Sequence, residues 1–144
     1  MQTFLPYPDF RESLESLDNK RLGKQRVETL QIFNALSGQS RGWTNHPAVR
    51  MWRGYESALF QYQVATVKEW LARGFQDTCL QKTAKVFGVT RENIELKISG
   101  PMPPWLGDFK LHQSHRSNLV RKDFAHYGQF GWPEDGNLPY VWPV

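Results

Sequence analysis

Apolar residues recur with helical spacing almost from the start of the chain. Pro6 and Pro8 keep the first residues extended, and Asp9 is placed to cap a turn carrying Phe10, Leu14 and Leu17. The clearest helix follows. Asp18 is its N-cap or first-turn acid, Leu22, Thr29, Phe33 and Leu36 fall on one side with Leu30 flanking, and Gly38 ends it. Residues 37 to 46 form a Gly/Ser-rich connection to Pro47, which suits the first position of a second helix. From Ala48 to Arg73 the only breaker is Gly54. Trp52, Tyr55, Leu59 and Tyr62 make one apolar stripe and Phe60, Val64, Val67 and Leu71 another, a pattern expected of a central helix.

Thr78 to Phe87 predicts a shorter helix ending at Gly88, and Thr90 to Ser99 is compatible with helix or strand. The three prolines of GPMPPW at 100 to 105 exclude regular structure. Ser114 is a candidate cap for a basic helix, RSNLVRKDF, and from Tyr127 onward the chain is rich in Gly, Pro and aromatics without periodicity. There is no internal repeat. The expected fold is mainly α: one compact helical domain over residues 1 to 144 with an irregular, aromatic-rich C-terminal tail.

Composition narrows the function. At 144 residues and 40% apolar, the chain can bury a single core. Lys and Arg outnumber Asp and Glu by 18 to 14, which favours a polyanionic partner. Cys79 is the sole cysteine, so neither an intrachain disulfide nor a cysteine-based zinc site can form. With no signal-peptide pattern and no membrane-length apolar run, a cytoplasmic protein is expected, nucleoid-associated if bacterial. Aromatics reach 14% with six Trp, more than a core of this size needs, and exposed rings beside Arg and Lys suit stacking on bases.

Within LDNKRLGKQRVETL, Arg21, Gln25 and Glu28 stand at i, i+4 and i+7 and share one helix face, expected to be separate from the core face. Lys20, Lys24 and Arg26 surround them with positive charge. Taken alone, this is an ordinary solvated face with a Lys24–Glu28 pair contributing about 0.3 to 0.5 kcal/mol. Alternatively, the cations hold phosphates while Glu28 moves protons at a sugar carbon.

This helix, with Leu22 six residues before Glu28, resembles the segment of the pyrimidine-dimer DNA glycosylases, the phage endonuclease V family, in which a leucine precedes the catalytic glutamate by the same interval. HPAVRMWRGYESALFQYQVATVKEWLARGFQDT is similar to that family's central helix, and WLGDFKLH to its Gly-Asp and His block. The basic helix and aromatic tail follow in the same order, so the resemblance is colinear over nearly all the chain. It implies a metal-free, cofactor-free helical enzyme that kinks duplex DNA and flips a nucleotide. An N-terminal α-amine would attack the sugar C1′, release the base through a Schiff base and permit strand cleavage by β-elimination, with Glu28 assisting the proton transfers. An α-amine suits this: its ordinary pKa of about 7.7 to 8.0 leaves a neutral fraction at pH 7, unlike lysine near about 10.4.

The chain departs from the phage pattern at its start. Phage-type members expose threonine after Met removal, with arginine next, whereas this chain reads Met1, Gln2, Thr3, Phe4, and bulky Gln2 disfavours removal of Met1. The lead into the helix is a few residues longer, and the Arg-Glu pair is split as Arg26, Val27, Glu28. The amine of Met1 is preferred as nucleophile, ahead of Thr3 after trimming and of Lys20 or Lys24; loss of the lyase chemistry is the remaining alternative.

His112, His115 and Arg116 invite a metal reading through their HxxH spacing, but phosphate contact by Arg116, Arg121 and Lys122, with Ser114 and Ser117, is preferred. Trp43, Trp105, Tyr127, Phe130, Trp132, Tyr140 and Trp142 lie outside helical periodicity. Tyr127, Phe130 and Trp132 correspond in order to the family's aromatic tail, implied to stack near the lesion. Asn45 and His46 are candidate caps. The expectation is therefore a monomeric glycosylase and abasic-site lyase acting on damaged or modified double-stranded DNA. Its rivals are a non-catalytic DNA-binding module on the same scaffold and an enzyme of hypermodified phage-type bases.

Overall fold

Asp9 accepts the Glu12 N–H on its side chain and so starts α1 (Phe10–Ser16). The computed structural model describes residues 1–144 and contains helices and no strand. Helix α2 (Asn19–Leu36) begins after Asp18, whose carboxylate does not cap it but meets Arg21 and Tyr127 instead. Leu22, Thr29, Ile32 and Phe33 face the core as the periodicity requires. Gln25 joins them at 1% exposure, so the polar face of α2 is not separate from the core face: Gln25 sits on the boundary and is turned inward.

The long central helix expected from Ala48 to Arg73 is two helices. Pro47 opens α3 (Pro47–Arg50), capped by His46, whose Nδ1 accepts the Ala48 N–H at 3.0 Å. The chain then turns through Gly54, at φ +88°, and restarts as α4 (Glu56–Ala72). The Gly54 N–H is held by the Glu56 carboxylate at 3.1 Å, which stabilises the break. Trp52, Leu59 and Tyr62 are fully buried, whereas the second stripe divides: Phe60 and Val67 are inside, Val64 and Leu71 outside.

Helix α5 (Cys79–Phe87) stops at left-handed Gly88 as predicted. The ambiguous stretch holds one helical turn, α6 (Ile94–Lys97), and the proline-rich segment is irregular. Helix α7 (Phe109–Lys122) starts earlier than Ser114, because Asp108 caps it by accepting the Lys110 N–H; Ser114 is buried in mid-helix and donates to the Leu111 C=O. One turn, α8 (Phe124–Tyr127), leads into a 3-10 turn and the irregular tail.

A single cluster of 20 buried apolar residues runs from Phe4 and Leu5 through α1, α2 and α4 to Leu111, Leu119 and Tyr127. Helices α2, α4 and α5 pack on one another, and α1 lies against α4. The extended N-terminus threads into this cluster, since residues 2 to 6 are all buried. No helix is long and apolar enough to cross a membrane.

Candidate active site

Residues 2 to 6 lie in neither helix nor sheet, so their buried backbone groups need side-chain partners, each orphan costing about 1 to 3 kcal/mol. Gln2 N–H donates to Glu28 Oε2 at 3.3 Å, and Gln2 C=O accepts from Gln25 Nε2 at 3.1 Å. Phe4 N–H donates to Gln25 Oε1 at 2.9 Å, while Phe4 C=O accepts from the Tyr62 hydroxyl at 2.9 Å. Leu5 N–H donates to His115 Nδ1 at 2.9 Å, Leu5 C=O accepts from His112 Nδ1 at 2.8 Å, and Pro6 C=O accepts from Arg116 at 2.9 Å. Gln25 also donates to Glu28 at 3.3 Å, and its Oε1 lies 2.6 Å from the Tyr62 hydroxyl, whose single proton is shared with the Phe4 C=O. Helices α2, α4 and α7 thus grip one strand-like segment, which fixes where Met1 begins.

Each grip has a protonation requirement. His115 accepts a backbone N–H, so its Nδ1 must be unprotonated; burial first, then neighbouring His112, pushes its pKa down to about 3. His112 accepts the Gly107 N–H on Nε2, so the proton it gives Leu5 is on Nδ1, and burial lowers its pKa as well. Burial chiefly raises the Tyr62 phenol far above its ordinary value, keeping it a donor.

The N-terminus opens into a cavity of about 270 Å³. Met1, Gln2, Gln25 and Glu28 form one side, Lys20, Arg21, Lys24 and Lys122 a cationic rim, and Phe4 and Tyr140 an aromatic wall. The Met1 amine is in no ion pair, nor are Lys20, Lys24 and Lys122, whereas Arg21 is held by Asp18 at 3.2 Å and Asp123 at 3.9 Å. Lys122 is lowered from its ordinary pKa by partial burial and by Arg21, Arg121 and Lys24. The Tyr140 phenol, mainly through burial, is pushed up to about 12. His46 sits close enough that the Met1 amine adds to burial in lowering its pKa, with Glu28 opposing.

A second groove of about 440 Å³ shares Lys20, Lys24 and Glu28 with the first and continues past Gly23 to Trp70. The two share one edge of α2 and offer a cation-lined path to Glu28. A larger hollow of about 570 Å³, near α4 and α6, holds none of these residues, so the chemistry lies away from it.

The structure brings Met1, Lys20, Arg21, Lys24, Gln25, Glu28 and Lys122 together at one cavity, and the other expected contacts do not line it. Arg26 pairs with Asp77 at 2.5 Å and lies over the Trp70 ring. Arg116 is bound by Glu134 at 2.6 Å, and Arg121 donates to Asn118 and the Gly136 C=O. His112 and His115, expected at a phosphate, are core groups because both are consumed by Leu5. No group of three His, Cys, Asp or Glu side chains is placed to hold a metal. Tyr127 is fully buried, its hydroxyl donating to Asp18 at 2.5 Å, and Trp132 stacks on both Tyr127 and Phe130, which also touch each other, with its indole N–H on the Tyr7 hydroxyl. These tail rings stack on one another. The tyrosine at the cavity is Tyr140, thirteen residues beyond Tyr127; no motif marked it, nor Tyr62.

The family model for pyrimidine dimer DNA glycosylases matches residues 1–83, a span that includes Met1, Glu28, His46 and Tyr62. No curated protein and no solved structure matches the chain.

Proposed function

The chain belongs to the pyrimidine dimer DNA glycosylase family, and from the geometry of its N-terminus we propose that it excises a damaged or modified pyrimidine through the Met1 α-amine, with Glu28 as the proton-transfer group. The observation that carries this reading is the convergence of an ion-pair-free N-terminal amine and a helix-borne carboxylate on one cavity, with the extended segment after Met1 pinned by Gln25, Tyr62 and His115. Such pinning leaves the amine little freedom to lose on reaching a reacting carbon.

In this reading the Met1 nitrogen forms a bond to C1′ as the glycosidic bond breaks and its electron pair leaves with the base. Glu28 takes the proton released by the amine, directly or through one water. The C1′–O4′ bond then breaks as the nitrogen lone pair forms the iminium, O4′ taking a proton; the iminium loses a C2′ proton, and the C3′–O bond breaks to release the 3′ phosphate. Lys20, Lys24 and Lys122 stand where flanking phosphates would lie, and Tyr140 faces the extruded nucleotide. Thr3 is a poorer nucleophile: it is fully buried, its N–H is held by the Gln2 side chain, and its hydroxyl accepts the Trp52 indole N–H at 3.0 Å. The partner is double-stranded DNA.

The direct test is excision from ultraviolet-irradiated duplex DNA by the wild type and Glu28→Gln. Turnover should fall about 10²- to 10⁴-fold with DNA affinity within a few-fold. Equal turnover in the two proteins would remove Glu28 from the chemistry.

A further inference from the structure

Trp43 has a position the chemistry at Met1 does not use. Of the six tryptophans, it is the exposed one, at 48%. Trp52, Trp70, Trp105 and Trp132 each donate their indole N–H to a protein acceptor, and Trp43 does not. Yet its loop is fastened. Trp43 C=O accepts the His46 N–H at 3.0 Å, Thr44 Oγ1 donates to Arg41 C=O at 3.1 Å, and Arg53 donates to Thr44 C=O at 3.2 Å.

The ring is also connected to the cavity through aromatic contacts. Tyr140 lines the cavity and packs on Trp142 with centroids 5.6 Å apart; Trp142 meets His46 edge-on at 5.8 Å, and His46 meets Trp43 edge-on at 5.8 Å. Arg41, Arg50 and Arg53, exposed and without carboxylate partners, flank the loop. At 48% exposure the ring keeps open surface, its fastened loop holds it in place, and nearby guanidinium groups attract phosphate. Exposed aromatic faces beside cations are platforms for unstacked bases.

We infer that Trp43 stacks on a nucleobase unpaired beside the lesion, so that the wall from Tyr140 to Trp43 holds the duplex open while the damaged nucleotide occupies the cavity. Extrusion costs stacking energy, and a flat ring in the vacated place offsets part of it. This rests on the reading of the chain as a DNA lesion enzyme. The ligand class is an unstacked base in damaged duplex, as distinct from the intact helix.

The test measures the affinity of the full chain for a duplex with a central abasic-site analogue, carrying 2-aminopurine opposite, and for the same duplex undamaged. Trp43→Ala should weaken the damaged complex roughly 5- to 150-fold and lower the 2-aminopurine signal change, with undamaged-duplex affinity altered less than about threefold. Trp43→Phe, which keeps a stacking ring, should recover most of the loss. Equal affinity of wild type and Trp43→Ala for damaged DNA would overturn the inference, as would an equal loss on both duplexes or no recovery with Phe. Borohydride trapping of wild type on abasic DNA, run in parallel, tests the chemistry separately: its failure rejects the Schiff-base reading whatever Trp43 does.

Discussion

Gln25 is where one side chain decides the site's geometry. It is neutral, buried and bonded at both ends of its amide, to Gln2, Phe4, Tyr62 and Glu28. Gln25→Leu keeps the volume and removes every one of these bonds, leaving buried partners unsatisfied at about 1 to 3 kcal/mol each. We expect a loss of at least about 2 kcal/mol in chemical denaturation, and base excision reduced more than DNA binding even where the variant is folded. Unchanged excision would mean that Met1 is not positioned through α2. Glu28→Gln should behave oppositely, with stability nearly retained and turnover lost. At this scale the sequence places Gln25 and Glu28 on one face, Glu28 standing out as an acid among cations, but it does not show that Gln25 is buried, because helical periodicity cannot tell a boundary residue turned inward from one turned outward. Arg26 and Arg116 were misread for a similar reason: their partners Asp77 and Glu134 are remote in sequence.

At the scale of elements, α2 and the N-terminal segment form one device. The helix start near Asp18 and its end before Gly38 were readable because they rest on local signals. The extended N-terminus was readable from Pro6 and Pro8, but its burial was not: five consecutive buried residues without sheet partners require acceptors and donors from α2, α4 and α7, which no local window contains. The central helix failed for the opposite reason, since a local signal, Gly54, was outweighed by the long apolar pattern around it. Its φ of +88° makes a direct prediction. Gly54→Ala should cost about 1 to 2 kcal/mol in thermal or denaturant unfolding, because a Cβ disfavours left-handed backbone; a stabilised variant would show that the break between α3 and α4 is not fixed there. Ser114 does not cap α7, because Asp108 takes that role six residues earlier.

For the whole molecule, the grip on the N-terminus ties stability to pH. The unfolded chain protonates His115 near its ordinary pKa of about 6.5, whereas the folded chain resists until about 3. The unfolded state therefore binds more protons between these values, so stability is full above about 6.5 and is lost as pH falls toward 3. Between pH 7 and 5, above the range of the carboxylates, His115 alone should remove about 2 kcal/mol, with His112 and His46 acting in the same direction. Urea unfolding across that interval checks it; a flat profile would mean that His115 is not held neutral. The mainly α class was legible throughout, because helix signals are local and repeated. The site was legible only in half, because it is built from residues at positions 1, 28, 122 and 140 that meet only after folding.

The central claim is that the Met1 amine, held opposite Glu28 by the buried extended segment, is the nucleophile. Abasic duplex DNA should be trapped on the wild-type protein with borohydride, the adduct digested, and the modified residue located by mass spectrometry. The account predicts the adduct on the α-nitrogen of an intact Met1. An adduct on Lys20, Lys24 or Lys122, or no adduct at any pH with the N-terminus intact, would contradict it.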